Sequence, residues 1–372
     1  MKKQLPVQQR SRWLAKTLSV LREEWHSKRA DCFERVICGL LNSRRLGIAA
    51  IGRHLPGETS IKHSIKAVDR SLSSELDLVP LWRYFLGQCR PAGGRRLELA
   101  LDWTDLGGAL ESLVLAAPHD GRALPVAWTS FIKGEYSRSR NAVETTLCRL
   151  ICGLVDGPKP LLLMDRGFAR ARLFRALGRH QIPFIVRIKR GTYIMRGEEK
   201  RELRKMRVAR GQVRDLGEVE LGIDARVPVR VVLAWGQGRG KKQPKEPWVI
   251  ATSLPASEYS GAQVAAAYTR RFNIEQNFRD HKSLRFGLQM RAVNIASPKR
   301  WDALLAVAAV AAWVFTNLGR HIETTKQHLS FRANTAKHRT HSLHFLGMHF
   351  VDKFREWSKL RLGAQQFITP FS

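Results

Sequence analysis

The chain of 372 residues carries 64 Lys and Arg against 32 Asp and Glu, a formal charge of +32, yet 44% of it is hydrophobic. That balance excludes a disordered charged tail, and the length allows two or three domains, one with a sizeable core. So large a positive excess repels itself and is best tolerated beside a polyanion, nucleic acid being the leading partner.

In chain order, the start "MKKQLPVQQRSRW" is basic and lacks a signal-type apolar stretch. Residues from about 10 to 90 read as helices. Among them "AIGRHLPGETSIKHSIKAVDRSLSS" holds a short helix, a Pro-Gly turn and a second helix rich in Lys and Arg. Thr59 or Ser60 is placed to cap the second helix. Two helices joined this way suit a helix-turn-helix DNA reader, and an ordinary helical hairpin fits them as well.

The period then changes. "RRLELALDWTDL" alternates, and "SLVLAAPHDGRALPVAWTSF" gives two strands around a His-Asp-Gly turn. "SRNAVETTLCRLICGLVDG" returns to helical spacing, "KPLLLMDRGFA" is a buried strand ending in Asp165, "ARLFRALGRH" a helix and "PFIVRIK" a strand. Three strands, a helix, a strand, a helix and a strand predict an α/β core of the ribonuclease-H-like sort. From Gly191 to about Glu246 the pattern breaks into a β-rich insertion with the basic run "KRELRKMRVARGQ". The strand "WVIATSL" resumes the core and leads into "YTRRFNIEQNFRDHKS". "ALLAVAAVAAWVF" is too short to span a bilayer and reads as a buried helix. Cys32, Cys38, Cys89, Cys148 and Cys152 show no C-x-x-C spacing, which suggests neither a disulfide framework nor a zinc ribbon and points to a reducing cytoplasm.

At roughly 100° per residue, one helix through Tyr268, Arg271, Glu275 and Lys282 would place all four within about 60° of one another. A lone carboxylate flanked by cations and a phenol suits a metal ion beside a phosphodiester. Metal-assisted phosphoryl transfer needs carboxylates converging from separate elements. Asp102 at the end of the first core strand, Asp165 at the end of the buried strand and Glu275 supply three. Asp105 competes for the first place, but Asp102 continues directly from the apolar run "LALD", leaving Asp105 to cap or orient. Arg271 suits a bidentate phosphate grip, Lys282 a point charge and Tyr268 a hydrogen-bond donor.

These residues carry a resemblance. Tyr-x2-Arg-x3-Glu-x6-Lys, continued by "FRDHKS", resembles the YREK signature of bacterial cut-and-paste DDE transposases of insertion-sequence family four. "DWTDL" and "MDRGF" resemble the first and second aspartate motifs of the branch typified by transposon ten. "LGIAAIGRHLPGETSIKHSIKAVDRSL" is similar to that branch's N-terminal DNA-binding region and "FRANTAKHRTHSLHFLG" to its C-terminal stretch.

The resemblance implies a ribonuclease-H-like catalytic core in which Asp102, Asp165 and Glu275 bind Mg²⁺, with Mn²⁺ as substitute, while Tyr268, Arg271 and Lys282 grip DNA phosphates. Trp248 aligns with a tryptophan that stacks on a flipped base, relieving the strain of a DNA hairpin; packing on the insertion is its other reading. The organisation expected is a helical DNA-binding domain over 1–94, core over 95–190 and 247–320, the insertion over 191–246 and a helical, basic region over 321–372 for dimerisation or DNA contact. The implied protein binds the terminal inverted repeats of its own element in double-stranded DNA. It nicks them, passes through a hairpin and joins them to target DNA, as a homodimer on DNA, in the bacterial cytoplasm with the nucleoid and without a membrane. A nuclease or resolvase without strand transfer, and a non-catalytic DNA-binding derivative, are the alternatives.

Overall fold

Among the described residues five helices precede the first strand: α1 (Arg12–Glu24), α2 (Ser27–Ser43), α3 (Ile48–Arg53), α4 (Ile61–Ser73) and α5 (Val79–Gln88). The structure, a computed structural model, describes residues 12–136, 139–236, 246–285, 287–336 and 338–353. The extreme N-terminus, most of the linker after the insertion, and the end of the C-terminal region lie outside the described residues. Of the two caps expected for α4, Ser60 is the one used: its Oγ accepts from the main-chain N–H of His63. Gly52 lets α3 cross α4 closely, since a Cβ there would lie 2.6 Å from the Ile65 Cα.

Strands β1 (Glu98–Gly107), β2 (Leu110–His119) and β3 (Arg122–Ile132) form an antiparallel meander. The β2–β3 turn is Asp120-Gly121, with φ of 47° and 76°, the pair of positive angles that a tight hairpin turn requires. After α6 (Arg140–Gly153), strand β4 (Leu161–Met164) pairs parallel with β1, and after α7 (Ala171–Arg179), strand β5 (Phe184–Ile188) pairs parallel with β4. The strand and helix order anticipated for residues 95–190 is the order observed.

The stretch 191–246 contains β6 (Tyr193–Arg196), β7 (Glu199–Glu202), β8 (Val213–Leu221) and β9 (Val227–Ala234). These strands do not make a sheet of their own. β9 pairs with β10 (Trp248–Thr252), which pairs with β5, so one ten-stranded sheet runs β3-β2-β1-β4-β5-β10-β9-β8-β6-β7. The fold is a mixed α/β arrangement built on this sheet. Open backbone edges on β5 and β10 would be costly to bury, and pairing β10 to both neighbours satisfies them.

Alternation along the strands assigns the two faces. Leu161 and Leu163 join Ile185, Val232, Trp248 and Tyr268 in one apolar cluster, under α8 (Gly261–Arg270). Leu162 and Met164 face the larger core, which also holds α1 to α5 and α10 (Pro298–Thr324). The expected buried helix is the middle of α10; its apolar window is 94% buried, which marks it as a core helix. It is crossed by α11 (Leu343–Lys353), where Gly319 and Gly347 permit backbone contact: a Cβ on either would fall 1.9 Å from a carbonyl oxygen.

Candidate active site

Register brings the two aspartates together. The parallel ladder of β1 and β4 ends at Leu101 opposite Met164, so Asp102 and Asp165 are the next residues on neighbouring chains, whose spacing is about 4.8 Å. Asp102 does not end its strand, as the sequence had suggested. β1 continues to Gly107, because β2 goes on pairing with it from Asp102 opposite Val114 to Gly107 opposite Leu110. Asp102 Oδ1 accepts from the main-chain N–H of Trp103 at 2.8 Å. Asp165 leaves β4 and caps a 3-10 turn, accepting from the Gly167 N–H at 2.7 Å.

Glu275 lies on α9 (Asn273–Lys282). The single helix expected from Tyr268 to Lys282 is two, since α8 ends at Arg270. Across the junction the main chain closes i→i+3 bonds, Arg271 N to Tyr268 O at 3.1 Å and Ile274 N to Arg271 O at 3.2 Å. The backbone tightens there and the assumed 100° step no longer applies. Tyr268 and Arg271 therefore turn inward, at 1% and 4% exposure, whereas the Glu275 side chain is 45% exposed and Lys282 half-buried.

Arg271 joins the third acid to the first. Its Nη2 lies 2.6 Å from Glu275 Oε1 and its Nη1 3.8 Å from Asp102 Oδ2. The guanidinium lies over the Phe272 ring at 4.2 Å, and its Nε is buried with no hydrogen-bond partner. Burial pulls the arginine's pKa down, but Tyr268, Glu275 and Asp102 outweigh it and hold the group above its ordinary value. Asp102 moves the other way, pushed up to about 6 by burial, with Arg271 opposing and the charges of Asp165 and Glu275 adding. Asp165 and Glu275 thus both lie within electrostatic reach of Asp102.

Lys282 is held below the ordinary lysine value by burial, against the pull of Asp105 and Asp102. Asp105 is exposed; it accepts from the Gly107 N–H at 2.7 Å and pairs with Lys133 at 2.9 Å. Burial raises the Tyr268 phenol, opposed by Arg271 and by Arg187. Arg187 was missed in the sequence, where its signal is a lone charge within the apolar strand "PFIVRIK"; it pairs with Glu246 at 3.1 Å.

Trp248 is only 8% exposed. Its ring meets Tyr268 edge-on at 5.0 Å and stacks on Phe272 at 5.7 Å, and a Cβ on Gly236 would lie 2.3 Å from it. A base could stack on it only after it left that packing. Of the two readings of Trp248, the observed contacts are those of a packed aromatic.

The donor set, carboxylate oxygens from separate elements, suits a hard divalent cation. As arranged, however, Asp102 and Glu275 flank Arg271 rather than close on one point with Asp165. Among the described residues no group of three His, Cys, Asp or Glu side chains stands ready to hold an ion. The guanidinium serves as the counter-charge to Asp102 and Glu275.

Residues 134–310 match the family model of the transposase DDE domain, a segment that includes Asp165 and Glu275 and begins after Asp102. That segment is similar to the DDE domain of transposases over a little under half of the chain. No curated protein matches the chain. Among solved structures, a piggyBac transposase in a synaptic complex with hairpin DNA aligns at a TM-score of 0.42 and 11% identity, over 95% of this chain and 78% of that one. A likeness that low bears no weight.

Proposed function

We propose that the protein is a cut-and-paste transposase of insertion-sequence family four, in the transposon-ten branch, acting on the terminal inverted repeats of its own element. The observation that carries the reading is the convergence on Asp102, at the end of the β1–β4 ladder, of Asp165 from the neighbouring strand and of Glu275 through Arg271. In this reading the three carboxylates hold Mg²⁺, or Mn²⁺ in its place, which when bound polarises water and neutralises charge at the scissile phosphate.

The chain's own residues do the positioning. Arg271, now held between Glu275 and Asp102, grips a phosphate once those contacts give way, and Lys282 supplies a second positive charge. Tyr268, with its ring 5.9 Å from the Arg271 guanidinium, contributes its phenol to the same phosphate grip. Nicking frees a 3′-hydroxyl that attacks the opposite strand, giving a hairpin, and after reopening attacks target DNA. Two ends processed together call for a homodimer assembled on DNA. The helices of residues 1–94 bind the repeats.

The test uses duplexes copied from the DNA flanking the gene, incubated with the full chain and Mg²⁺ or Mn²⁺. Metal-dependent nicking at the element's end is expected, lost in Asp165→Asn and Glu275→Gln while duplex binding remains. Cutting that survives both substitutions overturns the assignment. Nicked product that never joins a target plasmid identifies a nuclease or resolvase instead.

A further inference from the structure

Glu144 on α6 is completely buried, an expensive place for a carboxylate unless it is paired on both oxygens. Its Oε1 accepts from the indole Nε1 of Trp103 at 2.9 Å, and its Oε2 pairs with Arg170. Both partners adjoin the candidate acids. Trp103 follows Asp102 and donates its main-chain N–H to the Asp102 carboxylate. Arg170 lies just past the turn that Asp165 opens, and its own N–H bonds to the Phe168 carbonyl. The indole is also covered by the Arg140 guanidinium at 4.3 Å and by Tyr136 at 5.8 Å. A packed apolar side chain at 144 would serve stability as well or better. A carboxylate there does what a leucine cannot: it ties the segment of the first aspartate to that of the second through one rigid helix.

We propose that Glu144 is a positioning residue that fixes Asp102 and Asp165 relative to each other for binding a divalent cation. The inference rests on the function proposed above. It goes beyond it by naming a residue outside the acidic triad and the YREK strip. Outer-shell partners of this kind typically change metal affinity by roughly 10–100-fold when removed.

The experiment measures the thermal midpoint of the full chain against Mn²⁺ concentration for the unchanged protein, Glu144→Gln and Trp103→Phe. Gln keeps the shape and an acceptor for the indole but loses the ion pair; Phe keeps an aromatic ring and loses the donor. Each substitution is expected to raise the Mn²⁺ concentration for half of the thermal shift by about tenfold or more. The double substitution should add little to the larger single effect, as for two members of one network. A lowered melting midpoint with an unaltered Mn²⁺ half-point would make Glu144 purely structural and overturn the proposal while leaving the transposase reading intact. Should Glu144→Gln not fold, Trp103→Phe decides in the same way. An unchanged protein indifferent to Mn²⁺ overturns both this inference and the metal site it rests on.

Discussion

Arg271 holds Glu275 at 2.6 Å while reaching to 3.8 Å from Asp102, so a single buried guanidinium spans the first and third acids. Asp102 and Glu275 raise each other's cost of ionisation at that range, and the arginine between them offsets it. Arg271→Met keeps much of the side-chain volume and removes the charge. Because Glu275 is 45% exposed and solvent screens it, the expected loss is about 1–3 kcal/mol rather than that of a fully buried pair. Urea denaturation measures it. The same variant should gain more from added Mn²⁺ than the unchanged protein, since no resident cation competes. Equal stability with an equal Mn²⁺ response would show that the guanidinium does not compensate the acids.

Trp248 offers a different contrast, because its neighbours define a packing role. Buried against Tyr268 and Phe272, with Gly236 beneath the ring, it fills space that alanine leaves empty. Trp248→Ala should cost about 3–5 kcal/mol in urea unfolding, and Trp248→Phe much less. Full stability in the alanine variant would show that the ring is dispensable to the core and free to serve as a stacking platform for DNA.

What the sequence disclosed follows from the range of the forces involved. The cap at Ser60, the Asp120-Gly121 turn and the alternation of β1 to β3 are set by neighbouring residues, and each is legible in a few letters. The placement of Asp102 beside Asp165 was accessible because both follow short apolar runs that pair in register. The break between α8 and α9 was not, since no Pro or Gly marks it; it accompanies the burial of Tyr268 and Arg271 beneath the sheet, a tertiary effect. Glu144 was invisible for the same reason. Nothing in "SRNAVETTLCRL" says that this glutamate, rather than a solvated one, meets Trp103 and Arg170. Nor did the insertion's text reveal that its strands continue the core sheet through β10.

On α4 the residues Lys62, Lys66 and Arg70 follow one another at four-residue intervals on the exposed face, with His63 and Ser73 beside them. Like charges so spaced destabilise a helix, and Lys62 in the first turn also opposes the helix dipole. The nearby Asp69 does not offset them, being paired with Arg300. Among the described residues none of the three cations has a carboxylate partner. A cleft of about 390 Å³ beside this face is lined by His26, Lys28 and Arg29 of the α2 side together with Arg70. The strip suits a DNA groove with one phosphate backbone in the cleft. Replacing Lys62, Lys66 and Arg70 by alanine should weaken binding of a 30-base-pair duplex measured by fluorescence anisotropy. The slope of log affinity against log salt should flatten by about 2–3. An unchanged slope would place the duplex elsewhere on the surface.

His281 of α9 and His344 of α11 meet edge to face at 6.2 Å in the core, and the Nε2 of each lacks a hydrogen-bond partner. Burial holds His281 down to about 3, with His344 and Lys282 adding and Asp280 opposing. It holds His344 down to about 4, with Arg122 adding and a main-chain bond at Ala312 opposing. The folded values lie below the unfolded value near 6.5, so the unfolded chain takes up protons first as pH falls. Stability from the pair is complete above about 6.5 and is lost from there down to about 4 for His344 and about 3 for His281. At pH 5 the loss is about 2 kcal/mol for each ring. Asp302, raised to about 7 by burial, titrates in the opposite sense over part of that range, so the raw pH profile mixes the two. The clean measurement is the difference between the protein and His281→Leu in urea unfolding at pH 7 and pH 5. The leucine variant should lose about 2 kcal/mol less on acidification. Parallel profiles would show that His281 takes up its proton without unfolding, and that the joint between α9 and α11 is wetter than its packing indicates.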